Sequence, residues 1–367
     1  MGAFRSTPVL PATARASVAL PGGGCEVREM PVIAPGADTG WLRVAASGIC
    51  GTDVALQDRG VAEPTVLGHH VVGAIAAVGE SAARRWGVGP GDRVVIEEYL
   101  PCGSCPTCRT GPYRLCPDTD IWTGGRRIGT VPLTEYPGLF GGNAEYLHLP
   151  ANAVLHRLPD ALDDELAAWV LPYANALDWT SGAGGLRPGD TAVVLGPGYH
   201  GLAVAAAALA GGAERVVVTG LARDAERLGI AEALGAVPVV TDDPARLESE
   251  RPDLVVDTTG GAPEVVGPAL TLLGHGGRLV LTSPKAPAAV PIDTARMIRH
   301  GLSVHAVRGR SPEAVRAAIA ALAAGGSLLE RIPVADVPLD DVGDMLARLA
   351  VGDGPRSPHV VVRPTTS

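Results

Sequence analysis

The chain contains a single lysine, Lys285, and no long apolar run. Its apolar stretches are short and broken by Gly or Pro, so no transmembrane helix is expected. The N-terminus lacks a continuous apolar segment, which argues against secretion and points to a cytoplasmic protein. With one lysine, nearly all positive charge is arginine; alongside abundant Ala, Gly and Pro, this looks like the codon bias of a GC-rich genome rather than a functional choice. The net charge is −9 with acids and bases interspersed, which points away from nucleic acid and from anionic membranes. Repeats and low-complexity linkers are also missing. What remains is a globular chain of 367 residues, 46% hydrophobic, with core enough for two ordinary domains.

The strongest local signal is Val193–Gly201, Val-Val-Leu-Gly-Pro-Gly-Tyr-His-Gly. Thr191 to Leu195 reads as a buried strand, and an Ala/Leu-rich helical run follows Gly201. Gly196, Gly198 and Gly201 then form a G-x-G-x-x-G turn. The first makes the tight bend, the second lets backbone approach a pyrophosphate, and the third lets helix and strand pack closely. Helix N-terminal N–H groups face the phosphates, with Tyr199 and His200 completing the cofactor-binding turn. A second strand, Arg215–Thr219, follows at the distance a βαβ unit demands. Leu254–Asp257 and Arg278–Thr282 continue the pattern, with helices starting near Asp224 and Pro263. Such alternation predicts an α/β, doubly wound parallel sheet of the Rossmann type.

Before about residue 170 the marks are those of a β-rich domain. There are short Val/Ile segments at Val71–Val78 and Arg93–Ile96, frequent Gly and Pro, and loops carrying Cys and His. Asp163–Leu171 reads as a helix leading into the second domain. After about residue 308, amphipathic helices at Pro312–Ala324 and Asp340–Ala350 and a strand at His359–Val362 read as a return to the first. The expected division is therefore 1–170, 171–308 and 309–367.

Cys102, Cys105, Cys108 and Cys116 follow C-x2-C-x2-C-x7-C in a Gly- and Pro-bearing loop. Four thiolates at this spacing suit a closed structural zinc site. An iron–sulfur cluster is the rival: Pro117 fits it, the seven-residue gap does not. A disulfide pair is disfavoured in a cytosolic chain. Cys25 reads as a small apolar residue. Upstream, Cys50 in Gly48–Asp53 and His69 in Gly68–Gly73 are a Cys and a His on separate loops, able to hold a metal that stays open to substrate.

Taken together, these motifs resemble the zinc-containing medium-chain dehydrogenases/reductases, the alcohol, sorbitol and threonine dehydrogenase group. The resemblance rests on Gly48–Asp53, Gly68–His70, the four-cysteine loop, Gly142–Tyr146 and the glycine turn, in that order. It implies a GroES-like catalytic domain split around a Rossmann domain, and a dimer or tetramer. It also implies catalytic zinc on Cys50 and His69, with Asp53 bonded to the His69 ring nitrogen facing away from the metal. Thr52 would pass the proton of the reacting oxygen.

Four positions depart from the family pattern. His70 replaces the usual acidic residue, and Leu171 stands where the third zinc ligand usually sits. His70 is the nearest replacement ligand, but adjacent residues of an extended segment point to opposite faces, so double ligation needs an irregular backbone. Ala55 replaces the usual relay histidine. His200 lies in the glycine turn, where a small or aliphatic residue is usual. It reads either as a packed histidine or, like His70, as a group taking over acid/base work.

Gly220 stands where an acidic residue would select NAD; with Arg223 close by, this favours NADP over NAD, although Asp224 could neutralise that arginine or reach the ribose. Thr258, in the turn closing the next strand, resembles the family's contact to the nicotinamide ribose. Trp122, Tyr136, Phe140, Tyr173 and Asn175 are candidates for pocket lining or for simple packing. The expected function is a zinc-dependent NAD(P)-linked alcohol or polyol dehydrogenase, or the carbonyl reductase running in reverse. The alternatives are a reductase of activated C=C or C=N bonds without catalytic zinc, and a non-catalytic nucleotide-binding protein on the same scaffold.

Overall fold

The computed structural model describes residues 10–285 and 289–365. It divides into two compact units. One contains the chain up to Leu171 with Val334–Pro355 and the stretch from His359; the other contains Pro172–Pro333 with Arg356–Pro358.

The first unit begins with β1 (Thr13–Ala19), β2 (Cys25–Pro31), β3 (Gly40–Gly48), β4 (Thr65–Val66), β5 (His70–Val78), β6 (Arg93–Ile96), β7 (Tyr146–Leu149) and β8 (Leu155–Arg157). A small sheet has the order β2-β1-β4. In the larger one, β3 pairs antiparallel with both β5 and β7. Its inward residues Leu42, Val44, Val71, Ile75, Val94, Ile96 and Leu147 form one core. The Gly142–Tyr146 motif stitches the unit together. Buried Asn143 accepts from Ser17 N–H through its backbone carbonyl and from the Ser47 hydroxyl through its side chain.

The second unit holds β9 (Thr191–Leu195), β10 (Arg215–Gly220), β11 (Val237–Val240), β12 (Leu254–Asp257), β13 (Arg278–Leu281) and β14 (Ser303–Ala306). They form one parallel sheet in the order β11-β10-β9-β12-β13-β14. Strand order reverses between β10 and β12, on either side of β9. In a doubly wound sheet that switch point is where a ligand meets the carboxyl ends of the strands. Leu254–Asp257 is buried at every position, as expected for a strand covered on both faces.

The chain returns to the first unit at Val334 rather than at residue 309. Ser311 caps the helix Pro312–Ala323 and donates to Asp178 Oδ1, and Arg331 reaches the Ala233 carbonyl, so this stretch stays with the second unit. β15 (Val334–Pro338) and β16 (His359–Arg363) then complete the large sheet, in the order β15-β16-β3-β5-β6-β8. The helix expected over Asp163–Leu171 is broken into Asp164–Ala167, capped by Asp163, and Val170–Leu177. Among the described residues, no helix is long and apolar enough to cross a membrane.

Candidate active site and metal centres

Strand register creates the first site. Gly48, the last residue of β3, pairs with His70, the first of β5. Cys50 therefore leaves one strand beside the point where His69 enters the next. Gly68 makes that entry possible: its φ is +93°, and an added Cβ would lie 2.5 Å from both Asn143 Oδ1 and Ser47 Oγ. His69 stays outside the ladder, so the alternation of a regular strand does not apply to the pair. His70 consequently joins His69 at the site instead of facing away. The Cys50 Sγ and one ring nitrogen from each histidine all lie within 4.8 Å of one another. A tetrahedral site with bonds of about 2.0–2.3 Å spaces its ligands roughly 3.3–3.8 Å apart, so modest side-chain rotation closes this set on an ion. Leu171 is buried and apolar, and offers no ligand.

Asp53 organises these residues. It sits in the first turn of the helix Gly51–Arg59 and is 1% exposed. One carboxylate oxygen accepts from Cys50 N–H at 2.9 Å; the other accepts from Gly68 N–H and meets His69 Nδ1, both at 3.1 Å. One side chain thus ties together both loops that carry the site. Burial alone would lower the His69 pKa. The charge and hydrogen bond of Asp53, helped by Cys50, outweigh it and hold His69 well above the ordinary 6.5. Thr52 Oγ1 lies 4.0 Å from Cys50 Sγ.

The second cluster is Cys102, Cys105, Cys108 and Cys116, whose sulfurs also lie within 4.8 Å of one another. Backbone N–H groups point at the sulfurs: Cys105 to Cys102 at 3.3 Å, Cys108 to Cys105 and Cys102 to Cys116, both at 3.4 Å. Hydrogen bonds from Ser104 and Cys105 lower the Cys102 thiol to about 6, whereas burial and the neighbouring Cys105 push Cys108 up to about 12. Four thiols this close cannot all ionise without a cation, and a divalent ion is the group that lets them. The loop is tied to the sheet by Glu97, which is wholly buried and accepts from the Tyr113 hydroxyl at 2.5 Å while meeting His156 Nε2 at 2.7 Å.

In the second unit the glycine turn links β9 to the helix Tyr199–Ala210. Gly198 is the N-cap and has no capping side chain, which leaves helix N–H groups for a ligand. A Cβ at Gly201 would sit 1.9 Å from the Gly196 carbonyl, so only glycine fits. Thr258 turns its hydroxyl onto the Leu195 and Gly196 carbonyls, at 2.8 and 3.0 Å, bracing the turn from β12. Gly220 ends β10, and Arg223 beyond it is exposed. Asp224 is occupied as a cap, accepting from Leu221 N–H at 2.9 Å.

His200 belongs to the second unit and is packed there. Its ring stacks on Tyr199 and meets the edge of Trp179, while Nε2 lies 3.2 Å from Asn175 Nδ2. Asn175, read from sequence as pocket lining, is therefore engaged with His200 and, behind it, with Arg310. Arg310 carries no signal in the sequence: it lies 135 positions from the asparagine it contacts. Of the other aromatic candidates, Tyr173 and Phe140 are buried, and Trp122 and Tyr136 are exposed.

Comparison with known proteins identifies the family. Residues 36–160 match the model of the alcohol dehydrogenase GroES-like domain, and residues 201–324 match that of the zinc-binding dehydrogenase. The chain is 36% identical over 351 residues to a Mycobacterium tuberculosis protein named a probable alcohol dehydrogenase, covering 92% of this chain and 95% of that one. It is 31% identical to the L-threonine 3-dehydrogenase of Proteus mirabilis over 333 residues, covering 87% and 91%. The crystal structure of a Sinorhizobium meliloti protein named a putative zinc-binding dehydrogenase, bound to NADP, superposes with a TM-score of 0.82 at 27% identity, covering 96% of this chain and all of that one. The chain belongs to the zinc-containing medium-chain dehydrogenase/reductase family, and is an NAD(P)-dependent oxidoreductase acting on CH–OH groups.

Proposed function

We propose that the protein is a zinc-dependent, NADP-linked alcohol or polyol dehydrogenase, able to run in reverse as a carbonyl reductase, with its catalytic zinc on Cys50, His69 and His70. The supporting observation is the convergence of those three donors, with Asp53 behind His69. Cys50, His69 and His70 would hold the zinc and leave it accessible to substrate. Bound zinc supplies Lewis-acid polarisation of the substrate oxygen, and the nicotinamide supplies or accepts the hydride. Asp53 keeps the His69 Nδ1–H turned inward, so that the other nitrogen faces the ligand position. Thr52 takes the substrate hydroxyl proton and releases it to water, since Ala55 offers no relay. Cys102, Cys105, Cys108 and Cys116 hold a second, structural zinc.

NADP is favoured by three features at the end of β10. Gly220 brings no carboxylate, Asp224 is committed to Leu221, and Arg223 is exposed three residues beyond Gly220, able to pair with a 2′-phosphate. Steady-state kinetics over a panel of secondary alcohols and polyols tests the proposal. The expected result is a lower KM for NADP than for NAD, with His70→Ala lowering kcat by about 10²–10⁴, the equivalent of several kcal/mol of charge stabilisation. Turnover within fivefold of wild type in His70→Ala would remove His70 from the ligand set.

A further inference from the structure

Arg310 is completely buried, and its guanidinium has donors but no acceptor. Its Nη1 lies 3.2 Å from Asn175 Oδ1. The amide of Asn175 is thereby oriented, because only its oxygen can accept from a guanidinium. The amide nitrogen then faces His200 Nε2 at 3.2 Å. That NH2 group is only a donor, so Nε2 must be the acceptor and must carry no proton. Amide orientation and histidine tautomer are ordinarily ambiguous; a donor-only group at the head of the chain decides both. Tyr199, stacked at 4.1 Å, and Trp179, edge-on at 5.0 Å, hold the plane of the ring.

We propose that Arg310 and Asn175 are positioning residues that fix His200 as the neutral imidazole protonated on Nδ1. Between its second and third glycines the turn then carries a neutral hydrogen-bond donor, not a cation. Nε2 is committed to Asn175 and is not the nitrogen of a general acid, because an imidazolium would set two N–H donors against each other. The consequence for the cofactor, whose phosphates then rely on backbone N–H groups and the helix end, rests on reading this turn as the nucleotide site.

The tautomer is measured on the full chain labelled with 15N-histidine, by long-range 1H–15N correlation at pH 7 without cofactor. The His200 signals are identified by their loss in His200→Gln. The expected spectrum has a protonated Nδ1 and a pyridine-type Nε2. In Asn175→Asp the donor becomes an acceptor, and the proton is expected on Nε2. A wild-type His200 that is Nε2-protonated or doubly protonated overturns the proposal, as does an Asn175→Asp spectrum that still shows Nδ1–H alone. If that variant does not fold, the wild-type spectrum decides either way. Because no cofactor is present, failure of the nucleotide reading would show in binding experiments and leave this result intact.

Discussion

Replacing Lys285 with methionine removes the only lysine of the chain and probes the carboxyl end of β12, inside the nucleotide-binding sheet. Lys285 Nζ forms an ion pair with Asp257 Oδ2 at 2.8 Å and donates to the Thr259 carbonyl at 2.7 Å and to Thr259 Oγ1 at 3.0 Å. The two charged side chains are 6% and 0% exposed, so solvent screens the pair little. Methionine keeps the length of the stem but strands the carboxylate. Removing one partner of a buried pair costs about 3–5 kcal/mol. Asp257 keeps the Thr259 N–H and hydroxyl, at 3.0 and 2.6 Å, which argues for the lower end, near 3 kcal/mol. At roughly 2–4 °C per kcal/mol for a unit of this size, Tm should fall by about 6–12 °C. The assay is urea unfolding followed by far-UV circular dichroism on wild type, Lys285→Met, Asp257→Asn and the double variant. The double variant should recover at least about 2 kcal/mol relative to the sum of the singles, as expected for groups in contact. A loss under about 1 kcal/mol in Lys285→Met, or additivity in the double variant, would mean that the Lys285–Asp257 pair contributes little to stability.

Other outcomes follow from the same geometry. Gly201→Ala forces a methyl to 1.9 Å from the Gly196 carbonyl, and should abolish detectable cofactor binding by calorimetry while the four-cysteine site still holds its zinc. Arg223→Ala should raise the KM for NADP by about 10–100-fold, the worth of a charge-assisted pair, and leave that for NAD within about twofold. In the metal-free protein His69 is held well above 6.5, so zinc must displace its proton. Zinc affinity at that site should therefore rise with pH, by about tenfold per unit for each proton displaced, until the raised pKa is passed. In Asp53→Asn the His69 contribution should vanish at a lower pH; competition titrations across the range read both.

Elements defined by local pattern were legible in the sequence. Thr191–Leu195 and Leu254–Asp257 are apolar runs bounded by turn residues, and both are strands with those ends. The glycine and four-cysteine spacings are local too: the glycines lie between β9 and the helix that follows it, and the four sulfurs lie within 4.8 Å of one another. What was hidden depends on pairing between distant segments. β11 and β14 are four residues each, and join the sheet through register with neighbours rather than through periodicity of their own. The inward turn of His70 depends on Gly48 being its strand partner and on the left-handed backbone of Gly68. The return to the first unit was placed too early, because an amphipathic helix such as Pro312–Ala323 shows that it buries a face, not which unit it is buried in. For the same reason the chain from Arg310 through Asn175 to His200 leaves no mark on the local sequence.

Zinc content per chain, measured by elemental mass spectrometry on protein purified without added zinc or chelator, tests whether Cys50, His69 and His70 bind a metal. Two zinc ions are expected in the wild type. Cys50→Ser and His70→Ala should each retain one, and Cys102→Ser should lose the structural ion along with much of the stability of its loop. A single zinc that survives Cys50→Ser and disappears in Cys102→Ser would mean that only the four-cysteine site binds metal. It would leave Cys50, His69 and His70 without a metal and favour a reductase that works without catalytic zinc.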